Sequence, residues 1–359
     1  MAGEKGGSRM TGVPGLDVAG LTTWLTAAHP DLVAGPVTAE VIAGGRSNLT
    51  YAVDGGRMPL ILRRPPLGHV LSSAHDMRRE HRVISALADT AVPVPRAIDV
   101  VDDTEPAIVT GTVFFVMERA PGRVLARRAQ NADYTAAGLR RLGLDLARHL
   151  ADLHAVDPAE VGLADFGRPD GYLARQLSTW RRQLDASRSR ETPQLDALQA
   201  SLADGIPRTI RSGIVHGDYR LDNALVVGGG DEPRISAILD WEMATLGDPF
   251  VDVGMLGMYW DIAALPGGEG VVPSAVDPAA GYPGFDELVE AYAERAGIRV
   301  PDLRWYRAFA AYKLAVILEG IHYRFQAGDT VGDGFDRMGA LVEPLAQAGL
   351  DTTRTHGVR

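Results

Sequence analysis

Gly213-Ile214-Val215-His216-Gly217-Asp218-Tyr219-Arg220-Leu221-Asp222-Asn223 places a carboxylate, Asp218, and an amide, Asn223, in a polar loop directly behind a short β-branched run. Working outward, Gly228-Gly229-Gly230-Asp231-Glu232-Pro233 reads as a turn, and Ile238-Leu239-Asp240-Trp241-Glu242 follows it. Strands over Asn223–Val227 and Arg234–Leu239, joined by that turn, would run antiparallel. Asn223 at the start of one would then lie beside Asp240 at the end of the other.

That juxtaposition has a chemical meaning. Mg²⁺ takes hard oxygen ligands and keeps waters and phosphate oxygens in its shell. Asn223 and Asp240 are therefore the expected metal ligands. Asp218, on the loop before the strand, is expected to take the proton from an acceptor hydroxyl during phosphoryl transfer. The expected cofactors are ATP or GTP with Mg²⁺, and the expected partner is a small-molecule acceptor. Asp and Asn are also common turn residues, and the matching hairpin end at Asp240 is what separates this set from an ordinary turn. His216 is expected to hold the loop through hydrogen bonds. Gly247-Asp248-Pro249 with Asp252 is expected to cap a helix and anchor the catalytic segment.

Upstream, Ser73–Leu87 has helical periodicity, opening on Ser73-Ala74-His75-Asp76, a variant of a capping box. Glu80 shares a face with Met77, Ile84 and Leu87, and a carboxylate on an apolar stripe must find a cation. The strand Pro59–Arg63 runs into Arg64, and alternation lets only one of Arg63 and Arg64 face that helix. Arg63 is expected to pair with Glu80 and reach the phosphates. Gly44-Gly45-Arg46-Ser47-Asn48 falls between strands over Val37–Ile42 and Leu49–Val53. Its backbone N–H groups are expected to close over phosphates, making Gly45, Arg46, Ser47 and Asn48 nucleotide contacts.

A chain of 359 residues exceeds one typical core, so two lobes are expected. A formal charge of −10 argues against a nucleic-acid binder. The absence of cysteine removes disulfides and thiol chemistry. No apolar run reaches the roughly 20 residues that span a bilayer, and a polar, Gly-rich stretch over 1–16 reads as a tail without a secretory core. A cytoplasmic protein is expected. Leu16–Leu32 reads as a short helix and Ile108–Met117 as a strand. Leu139 to Leu153 steps as a helix that stops at Asp157-Pro158, followed by helices over Tyr172–Leu184, Phe285–Ala296 and Asp302–Phe325. The expected divisions are 1–34 (tail and helix), 35–120 (nucleotide-binding lobe) and 121–359 (helical lobe).

Gly45-Arg46-Ser47-Asn48, Leu62-Arg63 before Pro65-Pro66, Arg79-Glu80-His81-Arg82-Val83, Met117-Glu118, His216-Gly217-Asp218 through Asn223, and Leu239-Asp240-Trp241-Glu242 through Gly247-Asp248-Pro249 together resemble the aminoglycoside phosphotransferase and choline kinase group. Within it the chain is most similar to the phosphotransferase domain associated with acyl-CoA dehydrogenases, over roughly residues 35–330. The resemblance implies an α+β, bilobal protein-kinase-like fold, with an antiparallel sheet plus helix in the N-terminal lobe and a larger, mostly helical C-terminal lobe. It implies Asp218 as base, Asn223 and Asp240 on Mg²⁺, Arg63–Glu80 as the phosphate-orienting ion pair, and the backbone of Glu118 to Ala120 on adenine. Arg63 stands where many such kinases carry Lys, and the two cations are not interchangeable.

A polycationic aminoglycoside acceptor would call for carboxylates, and Glu242, Asp261 and Glu319 are the candidates. The Leu-, Ala-, Tyr- and Trp-rich C-terminal helices favour a partly apolar acceptor instead. The subgroup resemblance points to a hydroxyacyl compound or hydroxyacyl-CoA. The alternatives are an antibiotic phosphotransferase and, in another class, a nucleotide-binding pseudokinase. His322, Tyr323 and Arg324 are read as packing residues ahead of acceptor contacts.

Overall fold

The structure is a computed structural model, and it describes residues 12–42, 48–67, 76–268, 270–329 and 334–354. Two compact units emerge. The first holds residues up to Ala88 together with Pro95–Ala120, and the second holds Asp89–Val94 and everything from Pro121 onward.

The first unit is built on α1 (Val18–Ala28), β1 (Val33–Val41), β2 (Leu49–Gly56), β3 (Leu60–Arg64), α2 (Met77–Leu87), β4 (Ala97–Asp102) and β5 (Val113–Glu118). The strands form one antiparallel sheet in the order β1-β2-β3-β5-β4. Alternation along β3 decides which side chain faces where. Leu60 and Leu62 join Tyr51, Val53, Phe114 and Val116 in a core with Leu21 and Leu25 of α1. Arg63 takes the opposite parity and meets Glu80 of α2. Arg64, on the parity of Leu60 and Leu62, is buried and donates to the carbonyls of Gly15 and Thr110 at 2.6 and 3.1 Å.

Three sequence expectations are corrected here. Residues 12–16 are not a loose tail: Tyr51 donates to the Pro14 carbonyl at 2.6 Å, and Leu16 is buried in the core. Among the described residues α2 begins at Met77, with the Asp76 carboxylate accepting from the Arg78 and Arg79 N–H groups at 3.0 and 3.1 Å. Asp76 is thus the N-cap rather than the N3 member of a capping box. Finally, the strand read over Ile108–Met117 starts only at Val113. The buried Asp103 carboxylate draws the N–H groups of Ile108, Val109, Thr110 and Gly111 into a loop before it. Those four donors hold the Asp103 carboxyl below the usual range although burial opposes this.

In the second unit a hairpin, β8 (Ala224–Val227) and β9 (Arg234–Ile238), adds the short β6 (Arg123–Val124) in the order β6-β8-β9. A separate ribbon pairs β7 (Gly213–Val215) with β10 (Thr245–Gly247). Helices α3 (Ala136–Ala155), α4 (Tyr172–Ser187), α5 (Pro193–Asp204), α6 (Phe250–Asp261), α7 (Phe285–Ala296), α8 (Arg304–Gln326) and α9 (Val342–Arg354) make up the rest. No helix among the described residues is long and apolar enough to cross a membrane.

Candidate active site

The β7 strand delivers the chain into the Asp218 loop, and three bonds fix that loop from beneath. The Asp252 carboxylate, at the start of α6, accepts from the N–H groups of His216 and Gly217 at 2.7 and 2.8 Å. Burial works to raise its pKa, but His154 at 3.3 Å and the backbone donors take it below the usual range. The Tyr219 hydroxyl reaches the Leu146 carbonyl of α3 at 2.8 Å. Asp248, ahead of α6, accepts from the Phe250 N–H at 3.1 Å and from the Tyr306 hydroxyl at 3.0 Å. The residues read as capping and anchoring the loop make these bonds.

His216 ties the loop to the hairpin. Its Nε2 lies 2.9 Å from the Leu239 carbonyl, and its Nδ1 accepts from the Asp218 N–H at 3.2 Å. A carbonyl on one nitrogen and an N–H on the other define the neutral Nε2–H tautomer. Both ring nitrogens are thereby occupied, which leaves His216 no lone pair for a substrate. The ring also lies against the fully buried Trp241, with centroids 4.6 Å apart.

The hairpin register puts Asn223 and Asp240 at neighbouring positions. Ala224 pairs with Ile238, and the Leu239 N–H donates to the Asn223 carbonyl at 2.7 Å, so Asp240 is one residue beyond Asn223's backbone partner. The Asn223 Nδ2 donates to the backbone carbonyl of Asp218 at 2.8 Å and to its carboxylate at 3.1 Å. With the amide nitrogen so engaged, Oδ1 is the atom of Asn223 left to meet a cation. Asp240 sits at φ 66°, the one positive-φ residue other than glycine among the described residues. Asp tolerates this left-handed conformation better than most residues. Among the described residues no group of three or more His, Cys, Asp and Glu could hold a metal by itself. A donor set of one amide and one carboxylate fits Mg²⁺, which completes its shell with water and phosphate oxygens.

Arg220, missed by the sequence reading, flanks Asp218. Its guanidinium pairs with Asp222, approaches Asp218 at 4.0 Å and lies 4.5 Å over the Tyr259 ring. Burial pushes the Asp222 carboxyl up to about 6 despite that partner. A small cavity beside Arg220 is lined by Leu125, Leu256, Trp260, Ala275 and Val276. The acids expected to serve a polycation are not assembled there. Glu319 is fully buried against Arg190 at 2.8 Å, and Asp261 pairs with Arg307 at 2.6 Å. Glu242 is partly exposed in the turn after Asp240.

In the first unit the expected ion pair is present, with Glu80 1% and Arg63 12% exposed at the side chain. Breaking a buried pair typically costs ~3–5 kcal/mol. Glu80→Lys should therefore lower the unfolding midpoint by a corresponding amount; an unchanged denaturation curve would mean the two charges are uncoupled. Gly45, Arg46 and Ser47 lie outside the described residues, and Asn48 is buried. In the Glu118 to Ala120 segment, the Glu118 N–H donates to Arg96 and the Arg119 N–H to Pro59. The Ala120 N–H makes no such bond among the described residues.

The chain is similar to known proteins. Residues 38–309 match the model of the phosphotransferase enzyme family. Acyl-CoA dehydrogenase family member 11 of Gallus gallus is 32% identical over 332 residues, covering 90% of this chain and 41% of that protein. The chain thus spans about two fifths of that relative's length. A crystal structure from Ralstonia eutropha JMP134, of a protein assigned as an aminoglycoside phosphotransferase, superposes with a TM-score of 0.79 at 32% identity, covering 94% of this chain and 98% of that one. A thermostable aminoglycoside phosphotransferase mutant, solved with AMP-PNP and hygromycin B, gives a TM-score of 0.59 at 15% identity over 94% of this chain and 99% of its own. These likenesses establish the protein-kinase-like fold.

Proposed function

The chain belongs to the phosphotransferase enzyme family, and from that premise we propose that it moves the γ-phosphate of ATP or GTP to a hydroxyl of a partly apolar small molecule, a hydroxyacyl compound or its CoA thioester. The observation that carries the reading is the register that sets Asn223 beside Asp240, with Asp218 bound to the Asn223 amide. Asn223 Oδ1 and the Asp240 carboxylate would hold Mg²⁺, which when bound neutralises charge on the phosphates. Asp218 would orient the acceptor hydroxyl and take its proton as the bond to phosphorus forms. Arg63, held by Glu80, would bind phosphate oxygens bidentately. The Ala120 N–H, Asn48 and the residues Gly45, Arg46 and Ser47 would supply further nucleotide contacts.

Support for the acceptor class comes from the cavity lining. Arg220 lies beside Asp218, and the small cavity next to it is lined by Leu125, Leu256, Trp260, Ala275 and Val276 together with Asp222 and Ser274. Asp218 and Asp222 offset the Arg220 charge, so it is the apolar part of the lining that favours an acyl group. The match to an acyl-CoA dehydrogenase family member points the same way. The test is ADP release with Mg-ATP across hydroxy acids, their CoA thioesters and hygromycin B. A hydroxyacyl compound should give the highest kcat/KM. Preference for hygromycin B would overturn the acceptor assignment.

A further inference from the structure

Lys313 is one of only two lysines in the chain, the other being Lys5; every remaining strong cation is arginine. It stands in the middle of α8, within the apolar run Ala308–Leu318, and is 5% exposed. A charge so placed is costly unless it is paired and hydrogen-bonded. Its ammonium donates to the Gly217 carbonyl, one residue before Asp218. It also lies 3.8 Å from the Met243 sulfur, three residues after Asp240, and 5.3 Å over the Trp180 ring. Gly217 is itself left-handed, at φ 88°, and a Cβ there would come within 2.9 Å of Met243. Lys313 therefore touches both arms of the site where they abut: the loop carrying the base and the turn carrying the carboxylate ligand.

We infer that Lys313 is a positioning residue for phosphoryl transfer, clamping the Gly217 carbonyl so that Asp218 faces the acceptor, and lending the base a buried positive charge from below. The inference rests on Asp218 being the base. Burial lowers the Lys313 pKa, and Asp218 and then Asp252 are the carboxylates that counter this. Asp252 takes the N–H groups of His216 and Gly217 while Lys313 takes the Gly217 carbonyl, so the residue before Asp218 is held at both of its backbone polar groups. A compact ammonium suits this slot between Trp180 and Met243, where a planar guanidinium fork would need more room.

Because the chain has two lysines, protein carrying ¹³C-labelled lysine gives one buried and one N-terminal signal, which makes the contact observable without an acceptor. Asp218→Ala should shift the Lys313 Cε resonance and leave Lys5 unmoved; an unshifted Lys313 signal would overturn the coupling. In turnover with Mg-ATP and a hydroxyacyl-CoA, Lys313→Met should lower kcat by about 10–100-fold, the scale of a small misplacement of a reacting group. The KM for ATP should stay within about twofold of the parent, because misplacement of the base acts on transfer rather than on nucleotide binding. A matched fall in melting temperature and rise in KM would reduce Lys313 to a structural role. Asp218→Ala inactive beside Lys313→Met at parental kcat would sink the Lys313 role alone. Transfer retained in Asp218→Ala would sink the base assignment and this inference with it.

Discussion

Replacing Asp218 with alanine should slow phosphoryl transfer by about 10²–10⁴-fold, the contribution of a positioned general base, while Mg-nucleotide affinity stays near the parent value. The separation follows from the hydrogen bonds. Asn223 Nδ2 is held by the Asp218 backbone carbonyl at 2.8 Å as well as by its carboxylate at 3.1 Å. Truncating the side chain removes the second bond and keeps the first, so Asn223 Oδ1 stays in place. Single-turnover measurement with excess enzyme isolates transfer from product release. Transfer at the parental rate in Asp218→Ala would require another base, and His216, both nitrogens occupied, is a poor one.

The second large effect is expected at Asp240. Asparagine is the informative replacement, because it tolerates left-handed backbone, whereas alanine at φ 66° would add backbone strain of about 1–2 kcal/mol. Asp240→Asn keeps shape and one oxygen but removes the negative charge that a divalent cation needs. Turnover should fall by about 10³-fold or more, consistent with several kcal/mol of metal-borne charge stabilisation. The melting temperature without nucleotide should remain close to the parent. Turnover within tenfold of the parent would show that Asp240 is not a metal ligand.

Much of this site was legible because it is local. The Gly-rich turn between two short β-branched runs specifies a hairpin, and a hairpin fixes register, so Asn223 and Asp240 could be paired without any long-range knowledge. Glu80 was legible for a different reason: a carboxylate at helical spacing on an apolar face demands a cation, and strand alternation left Arg63. Phe285–Ala296, amphipathic and closed by Gly297, was read to the residue. By contrast α6 escaped notice because Phe250–Asp261 is buried on nearly every side and shows no polar face. The loop over 108–111 was misread as strand because its cause, Asp103, acts through backbone donors that carry no sequence signal.

Partners distant in the chain were the least legible. Arg220 looks like an ordinary loop residue until α6 brings Tyr259 beneath it. Glu319 looked available to an acceptor because nothing near it in sequence announces Arg190. Lys313 did carry a signal, a lone lysine inside an apolar run of a chain that otherwise uses arginine, but its partner at Gly217 is set only by tertiary packing.

Calorimetric titration of ATP, with and without Mg²⁺, into the parent protein, Asn223→Ala, Asp240→Asn and Asp218→Ala tests most directly the proposal that Asn223 and Asp240 hold Mg²⁺. The parent and Asp218→Ala should bind ATP at least tenfold more tightly with Mg²⁺ than without it, about 1.4 kcal/mol, and both ligand variants should lose that difference. A Mg²⁺ dependence that survives in Asn223→Ala and Asp240→Asn would contradict the account.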